Sequence, residues 1–378
     1  MANIFDYLLW RGDLGFKQSP FNNVDNIIFS QLSYLPLDNI VEGPESEAGI
    51  SIAQAAKIFA KRLKGEKSAL RKQVMFKDDP ALMSALGVSN RFGSCELLGF
   101  VNHVDVVQEK QFSALCIDTG DGSCFIAFRG TDTNLIGWKE DFNMSFSENV
   151  PSQIEAVNYL EKISALVKGP IRLGGHSKGG NLAIYAAAFC GKKTQNRITG
   201  IYSNDAPGFQ TKVVESEGFK AIRERIHSFA PQLSVVGTFL EHGNDNSVIK
   251  SSQTGLMQHA LYSWEVTHND MVRVDNVPQT SRFVDKTLRE WIAGLDFDQR
   301  QKLIDGLFTI LSSTHAKSIH DLSDDWFRAT GRMIQSLGNI DEPTRNIIRK
   351  TTAALFRSAR NNIETLLKDQ RKRNRIKQ

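Results

Sequence analysis

The feature that most constrains this chain is a short apolar segment that runs directly into a serine flanked by glycines. Residues 171–174 have the pattern of a buried strand, the pentapeptide Gly-His-Ser-Lys-Gly follows at 175–179, and residues 181–190 continue as an apolar helix. A strand can turn sharply into a helix here because glycine has no Cβ to obstruct their close approach, and the turn then projects the serine outwards. The pattern predicts a nucleophile elbow with Ser177 at its tip.

Strand and helix patterns alternate through most of the chain. Hydrophobic periodicity predicts helices at 25–32, 50–62 and 151–167, the last with Ile154, Val157, Leu160, Ile163 and Leu166 facing inwards. Residues rich in β-formers predict strands at 96–107, 112–117, 123–129 and 198–203, and the Asp-Gly turn at 118–122 predicts a hairpin. Such alternation is typical of a mostly parallel sheet flanked by helices, and with the elbow it predicts an α/β-hydrolase fold.

The pattern changes near residue 280, where β-runs vanish and helical periodicity takes over at 283–295, 298–311, 323–337 and 342–372. We therefore expect an α/β-hydrolase domain over residues 1–279, with a lid-like insert at about 206–258. A C-terminal all-helical extension with a basic tail is expected over residues 280–378.

The charge distribution and the cysteines indicate which surfaces the protein could contact and in which compartment it lies. The chain of 378 residues carries a net charge of +4, and the tail at 368–378, with six basic residues and one acidic, accounts for more than all of it. Such a tail allows peripheral contact with an anionic membrane, although a solvated helix end is the simpler interpretation. The four cysteines are flanked by apolar residues and fit reduced core thiols in a cytoplasmic protein. A disulfide between Cys116 and Cys124, across the hairpin, is the alternative.

A nucleophilic serine needs a base and an acid, which α/β-hydrolases supply later in the chain. Four histidines follow Ser177 before the helical region: His227, His242, His259 and His268. His259 has a modest lead because it lies in a glycine-started loop that enters an apolar segment. Asp205 ends the strand that follows the elbow helix, where carboxylates fall on the same face of the sheet as the serine. Asp245 and Asp270 are rival acids.

An oxyanion hole is also predicted. The backbone N–H of Lys178 lies at the start of the elbow helix, where it can stabilise a developing negative charge. A second donor in these folds comes from a loop after an early strand, and Thr131, in Phe128-Arg129-Gly130-Thr131, fits that position. No metal or other cofactor is expected.

Phe128-Arg129-Gly130-Thr131, Trp138, Asp141 and Gly175 to Gly180 resemble the class 3, fungal-type lipases of the α/β-hydrolase superfamily. The wider chain more closely resembles a bacterial family of unknown function, the Mbeg1-like proteins. The matching segments span residues 4–266: they are Asp6-Tyr7-Leu8, Trp10 to Asp13, Asp25-Asn26, Ser30 to Tyr34, Gly175 to Ala183, Asp205, Pro207 to Phe209, Pro231 to Gly237, Ser251-Ser252, Gln258-His259 and Ser263-Trp264.

The resemblance implies Ser177 as nucleophile, His259 as base and Thr131 in the oxyanion hole. One departure concerns the acid, because class 3 lipases carry it in an Asp-x-Val-Pro segment whose counterpart here contains Ser234. The expected function is hydrolysis of a carboxylic ester or related acyl bond in a small lipid-like substrate. A catalytically weak or inactive scaffold that binds a protein partner or a membrane surface is the alternative, and no nucleic acid is expected.

Overall fold

The computed structural model describes residues 1–65, 73–132, 149–232 and 247–274, together with the isolated positions 137, 140, 141, 144, 234, 299, 342 and 346. The chain divides into two compact units, of which the first comprises Met1–Asp132 and Glu148–Asp275. The second comprises Thr133–Ser147 and Asn276–Gln378. The helical region predicted at 280–378, with its basic tail, lies almost entirely outside the described residues, so its architecture stays a prediction.

The first unit is built from helices and strands, and most of the segments predicted between residues 23 and 204 are found at their predicted positions; the elements at 50–51, 79–88 and 192–195 were not predicted. The helices are α1 (Ile4–Arg11), α2 (Asn23–Leu32), α3 (Ile52–Gly65), α4 (Asp79–Val88), α5 (Pro151–Leu166), α6 (Lys178–Phe189), α7 (Lys192–Gln195), α8 (Thr211–Val214) and α9 (Glu217–Ile222). The strands are β1 (Ile50–Ser51), β2 (Glu96–Asp105), β3 (Lys110–Asp118), β4 (Cys124–Phe128), β5 (Ile171–His176), β6 (Ile198–Asn204), β7 (Ile226–Pro231) and β8 (Ser247–Ile249). None of the described helices is both long and apolar enough to cross a membrane.

The strands form one eight-stranded mixed sheet in which the spatial order follows the chain order. β1 to β4 pair antiparallel, and β4 to β8 pair parallel. This sheet with its covering helices, and with a serine at the β5–α6 junction, is an α/β-hydrolase fold. β7 and β8 belong to the sheet although they lie within the segment predicted as a lid-like insert, whose residues 235–246 are outside the described part of the chain.

Helix α2 is buried along nearly its whole length and joins the N-terminal region to the centre of the sheet. Its apolar residues, among them Ile27, Ile28 and Phe29, are fully buried, and each such side chain contributes about 1.5–3 kcal/mol relative to an exposed one. Its polar residues are buried as well and have partners. Asn26 Nδ2, for example, donates to Asn204 Oδ1 at the end of β6 (2.9 Å), so the helix is attached directly to the strand that follows the elbow.

Asp25 of α2 forms a buried ion pair with Arg91. Arg91 Nη2 lies 2.5 Å from Asp25 Oδ2, and both side chains are fully buried. Burial raises the pKa of Asp25, and the Arg91 guanidinium opposes that rise. Arg91 also donates to the main-chain carbonyl oxygens of Leu14, Ser19 and Pro20, so it anchors the connection between α1 and α2.

The prediction of the inward face of α5 is wrong at Ile154, which is 45% exposed. The buried positions of the helix include Ser152, Gln153, Ala156 and Tyr159, because polar groups on this face make hydrogen bonds: Gln153 Nε2 donates to Asn181 Oδ1 at 2.8 Å. A polar residue with a buried partner carries no hydrophobic signal, so periodicity missed Gln153; Leu160 and Ile163 are fully buried as predicted.

The four cysteines, Cys95, Cys116, Cys124 and Cys190, are free and buried, as predicted for core thiols. The Cys116–Cys124 bridge that the sequence left open is not formed. Cys116 pairs with Ile126 across the hairpin, and Cys124 pairs with Asp118.

We expect Arg91→Met to lower the free energy of unfolding by about 3–5 kcal/mol, because it leaves the Asp25 carboxylate buried without its cation. Urea unfolding followed by circular dichroism measures the change. The double variant Asp25→Asn/Arg91→Met removes both charges and should recover part of the loss. Equal midpoints for Arg91→Met and the unaltered protein would contradict this account of the pair.

Candidate active site

Ser177 lies at the tip of the turn between β5 and α6. It has φ 56° and ψ −133°, a positive φ that costs a residue other than glycine on the order of 1–3 kcal/mol. Its side chain does not cap α6, although serine is a preferred capping residue. The backbone N–H of Ser177 donates to the carbonyl oxygen of Asn204 (2.9 Å), which attaches the turn to β6. The hydroxyl therefore sits on a strained, partly exposed turn.

The glycines of the pentapeptide are required by backbone contacts. A Cβ on Gly175 or Gly179 would collide with the carbonyl oxygen of Phe128 at the end of β4. A Cβ on Gly180 would approach Ala206 Cβ to 2.9 Å. The elbow thus packs directly against the chain that leaves β4 and against the loop that follows β6, which brings three segments to the same edge of the sheet.

The segment that follows β4 lies beside the serine, as the oxyanion prediction requires. A Cβ on Gly130 would lie 3.0 Å from Ser177 Cβ, and the next residue, Thr131, is 7% exposed. Lys178 is the first residue of α6, where backbone N–H groups point towards the N-terminal end of the helix. Its buried ammonium group donates to the carbonyl oxygen of Gln111 (2.9 Å), so the side chain is held against β3.

His259 and Asp205 form a hydrogen-bonded pair. His259 Nδ1 lies 2.6 Å from Asp205 Oδ2, and the two residues are 54 positions apart in the chain. The aspartate side chain is 1% exposed and the histidine side chain 32%. Because a carboxylate can only accept, Nδ1 carries the proton, and Nε2 is left with a lone pair. The pair has the arrangement of a base oriented by a buried acid.

Asp205 is held rigidly where β6 ends. It has φ 50°, in the left-handed region, and its backbone N–H donates to the carbonyl oxygen of Phe229 in β7 (2.7 Å). Ser234 Oγ donates to Asp205 Oδ1, the carboxylate oxygen that His259 does not use. Ser234 occupies the segment in which class 3 lipases carry their acid, so at this edge of the sheet a serine supports an aspartate from the neighbouring strand.

His176 connects the elbow to His259. Its Nε2 lies 2.8 Å from the main-chain carbonyl oxygen of His259, and its Nδ1 lies 3.0 Å from the hydroxyl of Tyr34. The centroids of the two imidazole rings are 4.3 Å apart, with an interplanar angle of 39°. Burial, reinforced by the neighbouring His259, lowers the pKa of His176 well below its ordinary value of 6.5, so this ring is neutral at physiological pH.

The sequence model of a protein family described as Mbeg1-like matches residues 86–309, more than half of the chain. The chain belongs to the Mbeg1-like family. A comparison with curated proteins finds no match. Among solved structures, the chain is similar to the crystal structure of M37 lipase, with 16% identity, a TM-score of 0.35, and coverage of 58% of this chain and 70% of that one. The family predicted from the motifs is thus confirmed.

In this Mbeg1-like protein the rival residues have other surroundings. His227 stacks on Tyr202 with ring centroids 5.0 Å apart, and the His268 ring lies 6.5 Å from that of Trp10. Asp270 Oδ1 accepts from Asn23 Nδ2 (2.7 Å). The other two rivals, His242 and Asp245, lie outside the described residues. No group of three or more histidine, cysteine or acidic side chains in the described part of the chain could hold a metal ion.

Two residues of this Mbeg1-like site were not assigned a role from the sequence: His176, a variable position of the pentapeptide, and Ser234, noted only as a departure from the lipase pattern. Both act through partners that are distant in the chain, 83 positions away for His176 and 29 for Ser234. The local sequence pattern therefore gave no indication of a role for His176. Position 234 was indicated, because it holds a serine in the segment where class 3 lipases carry their acid.

We expect Gly179→Ala to disturb the elbow, because the new methyl group must displace the backbone at Phe128. Overpacking of this kind costs about 1–3 kcal/mol, so thermal unfolding should begin at a lower temperature, and nucleophilic labelling of Ser177 should slow. Gly15→Ala is the matched control, since the nearest atom to its new Cβ would be Gln18 Oε1 at 3.7 Å. If Gly179→Ala labels and melts like the control, the elbow is not as tightly packed as described.

Proposed function

We propose that this Mbeg1-like protein is a serine hydrolase that cleaves a carboxylic ester or related acyl bond, with Ser177 as nucleophile, His259 as base and Asp205 as acid. The observation that carries the proposal is the bond between His259 Nδ1 and the buried Asp205 carboxylate, because it leaves Nε2 of a partly exposed histidine ready to accept a proton. The strained backbone of Ser177 adds support, since strain of this kind is concentrated at functional sites.

The proposed reaction proceeds in two halves. In the first, His259 Nε2 takes the proton of the Ser177 hydroxyl while Oγ attacks the carbonyl carbon of the ester. The tetrahedral oxyanion receives hydrogen bonds from the backbone N–H groups of Lys178 and Thr131. The C–O bond to the alcohol then breaks, and the imidazolium returns its proton to that leaving group. In the second half, water attacks the acyl-enzyme by the same route and releases the carboxylic acid.

Asp205 has two tasks in this mechanism. It fixes the imidazole in the tautomer with the proton on Nδ1, and its negative charge stabilises the imidazolium that forms at His259. The Ser234 hydroxyl and the backbone N–H that donates to Phe229 hold the aspartate while this happens. An acid of this kind needs no proton of its own, which agrees with its burial beside hydrogen-bond donors.

The proposed substrate is an ester or related acyl compound, lipid-like as the resemblance to class 3 lipases implies, and no cofactor enters the mechanism. Phe229, an apolar residue between Asp205 and His259 in the chain, is 3% exposed and belongs to the hydrophobic core, so it does not line an acyl pocket. Cytoplasmic location and peripheral membrane contact through the tail at 368–378 remain parts of the proposal.

The alternative of an inactive scaffold was motivated by the absence of the lipase acid. Asp205 makes a hydrogen bond with His259, so a carboxylate is present behind the histidine although the lipase acid is missing. A scaffold would not need a buried carboxylate behind a partly exposed histidine, and a buried charge is costly to maintain without a function. The geometry therefore favours catalysis.

The test is covalent labelling of the folded protein with a fluorophosphonate, followed by hydrolysis of p-nitrophenyl esters with short, medium and long acyl chains. We expect adduct formation at Ser177 alone, and Ser177→Ala should abolish labelling and lower kcat/KM by roughly 10³-fold or more. Asp205→Asn should lower kcat/KM by about 10²–10⁴-fold, because it destabilises the required tautomer.

Ser46→Ala, at another partly exposed serine, is the matched control and should react like the unaltered protein. Labelling that persists in Ser177→Ala, or esterase activity that survives it in full, would rule out the mechanism.

A further inference from the structure

We propose that His176 is a positioning residue for the base: its ring Nε2–H holds the main-chain carbonyl of His259 and thereby fixes the imidazole of His259 relative to the elbow that carries Ser177. The inference rests on the proposed function, in which His259 accepts the proton of Ser177. It adds a residue that acts through His259 rather than through contact with substrate.

The direction of the hydrogen bond follows from the acceptor. The His259 carbonyl oxygen can only accept, so the proton of the 2.8 Å contact belongs to Nε2 of His176. The ring is neutral and has one proton, which leaves a lone pair on Nδ1. The contact thus selects one of the two tautomers of His176.

Tyr34 contacts the ring of His176 on the side opposite to His259. Its hydroxyl lies 3.0 Å from Nδ1 of His176 and 3.2 Å from the carbonyl oxygen of the same residue, and its single proton is shared between these two acceptors when the ring proton is on Nε2. A Cβ on Gly130 would collide with this hydroxyl. Tyr34 therefore lies between the segment assigned to the oxyanion hole and His176. Its side chain contacts both and fixes their positions relative to each other.

The hydrogen bond from His176 to the main-chain carbonyl of His259 restricts where the His259 imidazole can lie. His259 is the last residue of a short 3-10 helix (Gly255–His259), and the side chain is already bound to Asp205 through Nδ1. A second bond at the main chain fixes both ends of the residue, so the position of Nε2 is set relative to the elbow. A displacement of about 1 Å at a reacting group can lower a rate by about 10²-fold.

The contact between the rings requires that His176 stay neutral. The centroids are 4.3 Å apart, and His259 becomes an imidazolium when it takes the proton of Ser177. A charged neighbour at this distance would oppose that step, whereas a neutral aromatic ring does not. Complete burial of His176 keeps it out of the proton transfer, which distinguishes its role from that of His259.

The test compares two substitutions at one position. His176→Phe keeps an aromatic ring but removes the Nε2–H donor, and His176→Gln keeps an N–H donor of similar reach without the ring. We expect His176→Phe to lower kcat by about 10–100-fold with KM nearly unchanged, and His176→Gln to stay within about 5-fold of the unaltered protein. His227→Phe, the same exchange at a histidine outside the site, should leave both constants unchanged.

A spectroscopic readout is independent of turnover. The proton shared by His259 Nδ1 and Asp205 should give a downfield proton resonance, and we expect it to persist in His176→Gln but to broaden or vanish in folded His176→Phe. Unchanged kcat and an unchanged resonance in His176→Phe would overturn the inference, as would a His176→Gln variant that loses as much as His176→Phe. Failure of the proposed function is recognised separately, by the absence of labelling at Ser177 in the unaltered protein.

Discussion

The architecture of the site depends on a steric constraint: the elbow and the end of β4 are so close that no side-chain atom fits between them. Gly175 and Gly179 pack against the carbonyl oxygen of Phe128, and Gly130 packs against Ser177. This proximity places the Ser177 hydroxyl, a helix N-terminus and the segment after β4 within one small volume. Everything else at the site is arranged around a turn that only glycine permits.

The second requirement is that His259 and Asp205, from distant parts of the chain, meet at the same edge of the sheet. β6 delivers Asp205, and the loop before Trp264 delivers His259. Buried polar contacts attach the end of β6 to the elbow: Asn204 Nδ2 donates to the carbonyl oxygen of Gly175 at 3.0 Å, and Asn26 of α2 bonds Asn204 in turn. Helix α2 thus supports the site through Asn26, whose buried amide contacts Asn204 rather than solvent.

Much of the fold could be predicted from the sequence because the signals for strands, helices and turns lie within a few neighbouring residues. Alternating β-runs, helical periodicity and the Asp-Gly turn predicted the strands β2 to β6 and the helices α2, α3, α5 and α6 to within a few positions, whereas β1, α4 and α7 were not predicted. The elbow was predictable for the same reason, since the glycines, the strand and the helix are adjacent in sequence. The burial of α2 was not, because Asp25 and Asn26 carry the signal of a solvated face and only their distant partners make burial favourable.

The same limit applies to the site. Pattern favoured His259 only modestly, and the resemblance to known families raised it; Asp205 was chosen over Asp245 and Asp270 from its place at the end of a strand. The pairing across 54 positions that the structure reveals is a property of the sheet, which places the end of β6 opposite the late loop. The inward stripe of α5 was misplaced at Ile154 for a related reason, since Gln153 is buried for its hydrogen bond to Asn181.

The most direct test of the account is a crystal structure of the protein after reaction with a fluorophosphonate, which leaves a tetrahedral phosphonyl group as a mimic of the intermediate. We expect a P–O bond to Ser177 Oγ and one phosphonyl oxygen about 2.7–3.1 Å from the amide nitrogens of Lys178 and Thr131. We also expect His259 Nε2 within hydrogen-bond distance of Ser177 Oγ. A phosphonyl group on another residue, or a His259 ring turned away from Ser177 in the adduct, would contradict it.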